Sequence, residues 1–231
     1  MVIEIWSDIA CPFCYIGKKR FENALKNSGE LNANVQYKSF LLNPTQKTDT
    51  SLSMADYLVQ IKGLPKEQVM GMFEHIAQMG AASGINFSFD KAIPANTEKS
   101  HLLLQLAAEK GKQVEVKSAL FKAFFEEGQN VDDESVLIAI GKSFGISETE
   151  ILEAFKSTFI RKKLEGDLKE AEEFGISGVP FFVFNRKYAV SGAQSEEVFR
   201  QVLQKVAEEE TSEHSLNIIE GEQCDTDGNC K

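Results

Sequence analysis

The hydrophobic pattern at the two ends of the chain predicts strands and helices in alternation. Residues 2–6 are β-branched or aromatic at alternating positions, as in a half-buried strand, and residues 35–42 form the next predicted strand. Between them, apolar residues at helical spacing predict a helix that ends at Gly29. After residue 175 the chain predicts two more strands, with a turn at residues 185–187, and then a closing helix. The two ends therefore contribute β-α-β and β-β-α units.

The long segment between these ends predicts helices and almost nothing else. Pro65 begins one helix whose apolar residues share a face. Ser147 and Glu150 have the spacing of a capping box, and the helix that they open is predicted to run to Gly175. We therefore expect an α/β fold in which a large all-helical domain is inserted between the β-α-β and β-β-α halves.

The predicted boundaries divide the chain into three parts. Residues 1–43 and 175–210 would form the α/β domain, and residues 44–174 would form the helical domain. Residues 211–231 are polar and acidic and predict a flexible tail. The 231 residues are 42% hydrophobic and include 17 Phe, so the chain can build its core without structural disulfides.

Composition and charge exclude several classes of function. A net charge of −10 argues against a nucleic acid partner, because phosphate binding needs clustered Lys and Arg. No apolar stretch approaches the ~20 residues that span a bilayer. The N-terminus lacks the basic region of a signal peptide. We expect a cytoplasmic protein, in which two closely spaced cysteines favour catalysis or metal binding over a structural disulfide.

Cys11 and Cys14 are the strongest candidates for chemistry, because they lie where the first strand leads into the first helix. Pro12 suits the first helical turn, where its missing N–H costs nothing. The unpaired N–H groups of a helix start stabilise an anion. We therefore expect the pKa of Cys11 to fall below the ~8.5 of a free thiol, which would make Cys11 the attacking thiolate and Cys14 the resolving thiol.

The same cysteine spacing also occurs in zinc sites, which need four ligands when they are closed. The only other cysteines are Cys224 and Cys230, more than 200 residues further along the chain. We therefore favour a catalytic dithiol without a metal, and a zinc-binding or peptide-holding module is the non-catalytic alternative.

Two further positions are candidates for the site. Pro180 begins a predicted strand, where it is tolerated, but a cis Val179–Pro180 bond is the more specific interpretation. Such a bond would expose backbone groups of Val179 to an incoming chain, which could pair with them as an added strand. Asp8, three residues before Cys11, could take a proton from Cys14, although an ordinary role in the turn is favoured.

Three segments together resemble the FrnE-like branch of the DsbA family. They are residues 6–17 around the cysteines, residues 178–184 and residues 191–194. The resemblance extends over about residues 1–210, with the segments in the order derived above. It implies a thioredoxin fold interrupted by a helical domain, and thiol–disulfide oxidoreductase or isomerase activity through a mixed disulfide.

The resemblance also assigns roles and partners. It implies that Cys11 is the nucleophile, that Cys14 resolves the intermediate, and that Pro180 is a cis-proline facing them. It implies a redox-active disulfide with no bound cofactor, and thiol- or disulfide-containing proteins as partners. Glutathione is a candidate co-substrate, and glutathione or the thioredoxin system a candidate redox partner.

The resemblance draws attention to three residues far from the cysteine motif. His101 lies in a segment, residues 96–102, that looks like the Asn-Thr…His-Leu segment of the family's helical insertion, which would bring it towards the thiols; a structural role is the favoured alternative. Cys224 and Cys230 resemble the C-terminal cysteine pair of FrnE-like proteins. On a flexible tail they could exchange with the first pair as a redox relay or cap it, and the alternatives are an inert thiol pair or adventitious metal binding.

A rival class shares the inserted-helix layout. The kappa-class glutathione transferases and the hydroxychromene carboxylate isomerases bind glutathione and usually place Ser where Cys11 stands. The second thiol, Cys14, weighs against that class here.

Phe13 gives an expectation for the redox potential of the cysteine pair. Periplasmic DsbA proteins have His at this position, and that His stabilises the thiolate. DsbA has a reduction potential of about −120 mV. Without an imidazole, the disulfide between Cys11 and Cys14 should be less oxidising, so its reduction potential should be more negative than that value. We expect a value nearer to disulfide isomerase or thioredoxin, at about −180 to −270 mV. A redox titration against glutathione buffers measures this value, and a DsbA-like potential would overturn the prediction.

Overall fold

The alternation predicted for the two chain ends is present in the computed structural model, which describes residues 1–29 and 31–213. Within those residues the elements are, in chain order, β1 Val2–Ser7, α1 Pro12–Asn27, β2 Asn34–Ser39, α2 Met54–Lys62, α3 Lys66–Ala81, α4 Glu98–Glu109, α5 Gln113–Phe125, α6 Glu134–Ser143, α7 Glu148–Lys156, α8 Thr158–Glu173, β3 Phe181–Phe184, β4 Tyr188–Ser191 and α9 Glu196–Glu213.

The four strands form one sheet, in the order β2-β1-β3-β4. β1 pairs in parallel with β2, whereas β3 is antiparallel to both β1 and β4. The tight turn between β3 and β4 has positive φ at Asn185 and Arg186, which matches the right-handed twist of a hairpin. The two ends of the chain thus meet in one sheet, with β1 at its centre beside β3.

Helices cover both faces of this sheet because side chains alternate along β1. Ile3 and Ile5 point to the face where α1 and α9 pack, in a core rich in phenylalanine. Trp6 points to the other face and packs with Ala171 of α8. The indole Nε1 of Trp6 also donates to the carbonyl of Asp167, 3.0 Å away.

The inserted helices form a second core, which is continuous with the start of α1. Cys11 and Cys14 belong to that core together with buried residues of α4 and α5. The ring of Tyr15 stacks on Phe121 of α5, with ring centroids 5.0 Å apart. The first turn of α1 therefore lies at the junction of the α/β part and the helical part.

The single long helix predicted from Ser147 to Gly175 is two helices. The capping box of Ser147 and Glu150 is present and begins α7. At Ser157 the backbone is extended, and the hydroxyl of Ser157 accepts from the N–H of Ile160, which caps α8. Serine does not forbid helix as proline does, so composition alone gave no sign of this break. At the other end of the chain, α9 continues to Glu213, past the predicted start of the tail.

The residues that the structure describes include no helix with both the length and the apolar character that crossing a membrane requires.

Candidate active site

Cys11 occupies the N-cap of α1, as the sequence predicts. Its backbone is extended, with φ −96° and ψ 111°, and Pro12 takes the first helical position. The N–H of Cys11 donates to the carbonyl of Asp8 at 3.3 Å, which closes the turn after β1. The first turn of α1 contains no acidic side chain that would compete for its N–H groups. The sulfur of Cys11 therefore lies where serine or aspartate would cap a helix, a position that favours an anion.

The loop before β3 lies against this helix start. The Val179–Pro180 peptide bond is cis, which confirms the more specific of the two interpretations of Pro180. The thiol of Cys11 donates to the carbonyl of Val179, with the sulfur 3.5 Å from the oxygen. Gly17 allows the close approach, because a β-carbon there would lie 3.0 Å from Cγ of Pro180. Pro180 and Val179 thus face the first cysteine, as the resemblance implied.

Cys14 lies one turn inside the helix and is 2% exposed. Burial raises the pKa of Cys14 well above its ordinary value, and the charge of Cys11 raises it further. Lys117 and the hydroxyl of Ser7 act in the opposite direction. Both cysteines are thiols in this structure. Phe13, between them in sequence, is 38% exposed.

Lys117 is a site residue that the sequence analysis missed. It lies on α5, is completely buried, and its Nζ donates to the carbonyl of Ser7 at 3.3 Å. The same Nζ is 5.0 Å from the ring centroid of Phe121 and 5.7 Å from that of Tyr37. One signal was present in the sequence: Lys117 is four residues before Phe121, on the apolar face of a helix, where a lysine is rare.

Burial lowers the pKa of Lys117 to about 8. The negative charges of Cys14, Asp8 and Cys11 act against that shift, and Cys14 has the largest effect of the three. A buried ammonium group therefore lies within electrostatic reach of both thiols.

Asp8 is buried and accepts hydrogen bonds from several parts of the fold. The N–H of Leu42 and the hydroxyl of Thr97 are each 2.8 Å from its carboxylate, and Nε2 of His101 is 3.3 Å away. Burial raises the pKa of Asp8, but the hydrogen bonds from His101, Leu42 and Thr97 outweigh it, so the pKa is lowered overall. These contacts fit the structural role that was favoured and tie the turn after β1 to the inserted helices.

His101 contacts Asp8 through Nε2 of its ring. Its ring is fully buried, and burial lowers its pKa although the hydrogen bond with Asp8 acts in the other direction. The neutral ring can donate from Nε2 to the carboxylate. His101 therefore fixes Asp8, which in turn shapes the turn that leads to Cys11.

Two of the expected site residues, Cys224 and Cys230, lie outside the residues that the structure describes. Within residues 1–29 and 31–213, no three His, Cys, Asp or Glu side chains come together in a group that could hold a metal ion.

The family profile of the DSBA-like thioredoxin domain matches residues 2–204. The chain belongs to this family. Its fold is accordingly the expected thioredoxin fold with a helical insertion, and its family is one of thiol–disulfide oxidoreductases.

Three solved structures show how far the likeness extends. The crystal structure of a probable DsbA oxidoreductase from Streptomyces coelicolor is 33% identical, with a TM-score of 0.84, and the match covers 100% of this chain and 98% of that chain. A 2-hydroxychromene-2-carboxylate isomerase is 14% identical, with a TM-score of 0.67 over 93% of this chain and 100% of that one. The cytosolic disulfide reductase DsbM from Pseudomonas aeruginosa, solved with glutathione, is 16% identical, with a TM-score of 0.62 and the same coverages. The last two likenesses show the fold alone.

Replacing Lys117 with methionine, which is similar in size and uncharged, should stabilise the fold at pH 7. The pKa of Lys117 is lowered from 10.5 to about 8, so the unfolded chain binds this proton more tightly than the folded protein does. The difference corresponds to about 3 kcal/mol of unfolding free energy, at about 1.4 kcal/mol per pKa unit. This loss of unfolding free energy, which the buried charge of Lys117 causes, is fully present below about pH 8 and disappears as the pH rises to 10.5.

Urea unfolding of the wild type and of Lys117→Met, at pH 7 and again at about pH 10, measures this effect. The advantage of the variant should shrink at the higher pH. A variant less stable than the wild type at pH 7 would contradict this account of the buried charge.

Asp8→Asn should destabilise the protein by about 3 kcal/mol, because it leaves donors buried without their carboxylate. The pKa of Asp8 is lowered in the folded state, so its contribution is complete above the unfolded value of 3.8 and is lost as the pH falls through the lower folded value. Chemical unfolding at pH 7 and below pH 4 tests both points. Asp90→Asn, at an exposed aspartate, is the matched control. Equal stability of the two variants at pH 7 would refute the role of Asp8.

Proposed function

We propose that this protein is a thiol–disulfide oxidoreductase in which Cys11 attacks substrate disulfides and Cys14 resolves the mixed disulfide. The observation that carries the proposal is the position of the Cys11 sulfur, at the start of α1 and 3.5 Å from the carbonyl of Val179. A thiolate formed there is stabilised by the helix start and lies beside a backbone segment that can hold a substrate.

The first exchange forms one disulfide bond and breaks another. The Cys11 thiolate attacks one sulfur of the substrate, so that a bond forms between Cys11 and that sulfur. The substrate's second sulfur leaves with the electron pair of the broken bond and takes a proton from water. In the second exchange Cys14 loses its proton and attacks the Cys11 sulfur, which releases the first substrate sulfur as a thiol. The protein is left oxidised, and the reverse sequence donates a disulfide.

The surface around Cys11 supports a peptide or protein as the substrate. The backbone of Val179 can pair with an extended chain. Phe13 is 38% exposed and Leu42 is 50% exposed, so apolar side chains of a substrate would find partners on either side. The N–H of Leu42 binds Asp8, in the turn that leads to Cys11, which keeps this apolar side chain close to the site.

The finer assignments are part of the same proposal. Placement in the FrnE-like branch is supported by the three matching segments of the sequence. Isomerase activity is supported by the mixed-disulfide mechanism. While a substrate is bonded to Cys11, its other thiols can rearrange the disulfides of the substrate before Cys14 releases it. A cytoplasmic location and glutathione as co-substrate are supported by the fold likeness to DsbM, whose structure was solved with glutathione.

The glutathione transferases and isomerases are the rival class, and the fold does not separate them from oxidoreductases. The side chains at the start of α1 favour the oxidoreductase, because a second buried thiol at Cys14 serves disulfide exchange and has no role in a transfer to an electrophile. An assay of glutathione conjugation to an aromatic electrophile distinguishes the two classes.

Cys11→Ser should reduce insulin reduction to the background rate, because the attacking thiolate is gone. Cys14→Ser should still attack, but it should accumulate a mixed disulfide with the substrate that mass spectrometry of the unreduced sample detects. The wild type, handled in parallel, should show turnover and little mixed disulfide. Wild-type activity in Cys11→Ser would eliminate the dithiol mechanism, and zinc in the reduced protein would favour the metal-binding alternative.

A further inference from the structure

A buried lysine lies against the end of β1, and a buried thiol lies one turn into α1, the helix that follows that strand. Lys117 Nζ donates to the carbonyl of Ser7, and Lys117 is completely buried. The hydroxyl of Ser7 is buried too, and no described residue forms a hydrogen bond with it in this state. When Cys14 ionises, that hydroxyl can donate to its sulfur. Ser7 thus presents its carbonyl to the lysine and its hydroxyl to the thiolate.

We propose that Lys117 is a positioning residue for the second exchange: its buried ammonium group stabilises the Cys14 thiolate while Cys14 attacks the mixed disulfide. This inference rests on the proposed oxidoreductase function and assigns a device to its resolving step. Asp8, for which the sequence left open a role in taking a proton from Cys14, has its carboxylate engaged by Leu42, Thr97 and His101.

The two thiols compete for the same positive charge, and this competition orders the reaction. In the reduced protein a thiolate at Cys11 repels negative charge at Cys14 and shares the attraction of Lys117. Once Cys11 is bonded to a substrate sulfur, its charge is gone. Lys117 then acts on Cys14 without that competition, so ionisation of Cys14 becomes easier when its thiolate is needed.

The other groups facing Lys117 leave its charge available. Asp8 attracts it from the turn after β1, but that carboxylate is already shared with Thr97 and His101. Lys18 on α1 repels it, and Lys18 is paired with Glu22 on the same helix.

Two aromatic rings and one imidazole complete these surroundings. Tyr37 on β2 and Phe121 on α5 present ring faces to the ammonium group. His101 on α4 is neutral at pH 7, because burial lowers its pKa. Lys117 is therefore a buried cation whose charge lowers the pKa of Cys14.

The step balances without any additional reactant. Cys14 gives its proton to water, and its thiolate attacks the Cys11 sulfur of the mixed disulfide. A disulfide bond forms between Cys11 and Cys14, and the bond between Cys11 and the substrate sulfur breaks. The substrate sulfur leaves as a thiolate and takes a proton from water. At pH 7 Lys117 stays protonated during this step and contributes only its charge.

The test separates the two exchanges with dithio-bis-nitrobenzoate, whose two thiols are coloured when released. In a Cys224→Ser/Cys230→Ser background, attack by Cys11 releases the first thiol and resolution by Cys14 releases the second. Lys117→Met should leave the rate of the first release within about twofold of the wild-type rate. The second release at pH 7 should slow about threefold for each unit by which the pKa of Cys14 rises, since the thiolate fraction falls about tenfold and nucleophilicity recovers about threefold.

Lys18→Met is the matched control, because Lys18 is also a buried lysine but is paired with Glu22. This control variant should leave the rates of both releases within about twofold of the wild-type rates. In Lys117→Met the difference from the wild-type rate of the second release should diminish as the pH rises past about 8, because Lys117 then loses its charge in the wild type. An unchanged second release in Lys117→Met between pH 6 and 9 would overturn this proposal alone, whereas an unchanged first release in Cys11→Ser would overturn the proposed function.

A second measurement needs no substitution at Lys117. NMR of isotope-labelled lysine Cε follows the titration of Lys117 in the reduced protein and in the protein oxidised at Cys11 and Cys14. Loss of the thiolates should lower the titration midpoint of Lys117 in the oxidised form. Equal midpoints in the two redox states would show that Lys117 does not interact with the thiols and would refute the proposal.

Discussion

The structure depends on one constraint: the start of α1 must present Cys11 to a loop that lies 168 residues further along the chain. Pro12 fixes the first helical turn, and Gly17 lets Pro180 approach the helix closely. The central position of β1 in the sheet sets both contacts, because β1 leads into α1 and pairs directly with β3, which follows the cis-proline. The sulfur therefore lies at once at a helix start and beside the carbonyl of Val179.

The inserted helices are part of the site as well as a cover for it. They bring His101 and Thr97 to Asp8, which holds the turn before Cys11, and they bring Lys117 to the carbonyl of Ser7 at the end of β1. The same overall fold occurs in a disulfide reductase and in a chromene carboxylate isomerase. Side chains at the start of α1 and at its junction with the insertion are therefore where a difference in chemistry must arise.

Local signals predicted the parts of the site that depend on neighbours in sequence. Cys11 at the helix start and the cis bond before Pro180 follow from proline chemistry and spacing. The contact between Lys117 and Ser7 did not follow, because it depends on how α5 packs against the sheet, and no local pattern encodes that packing. The break at Ser157 was missed for a similar reason: a serine permits a helix and ends one only when its surroundings favour the cap.

The most direct test of the central claim is the alkylation rate of Cys11 in a Cys14→Ser/Cys224→Ser/Cys230→Ser variant, measured at pH 6 in the folded protein and in the same chain unfolded by urea. If the start of α1 stabilises a thiolate, the folded protein should react faster than the unfolded chain. A folded protein that reacts no faster than the unfolded chain would contradict the account.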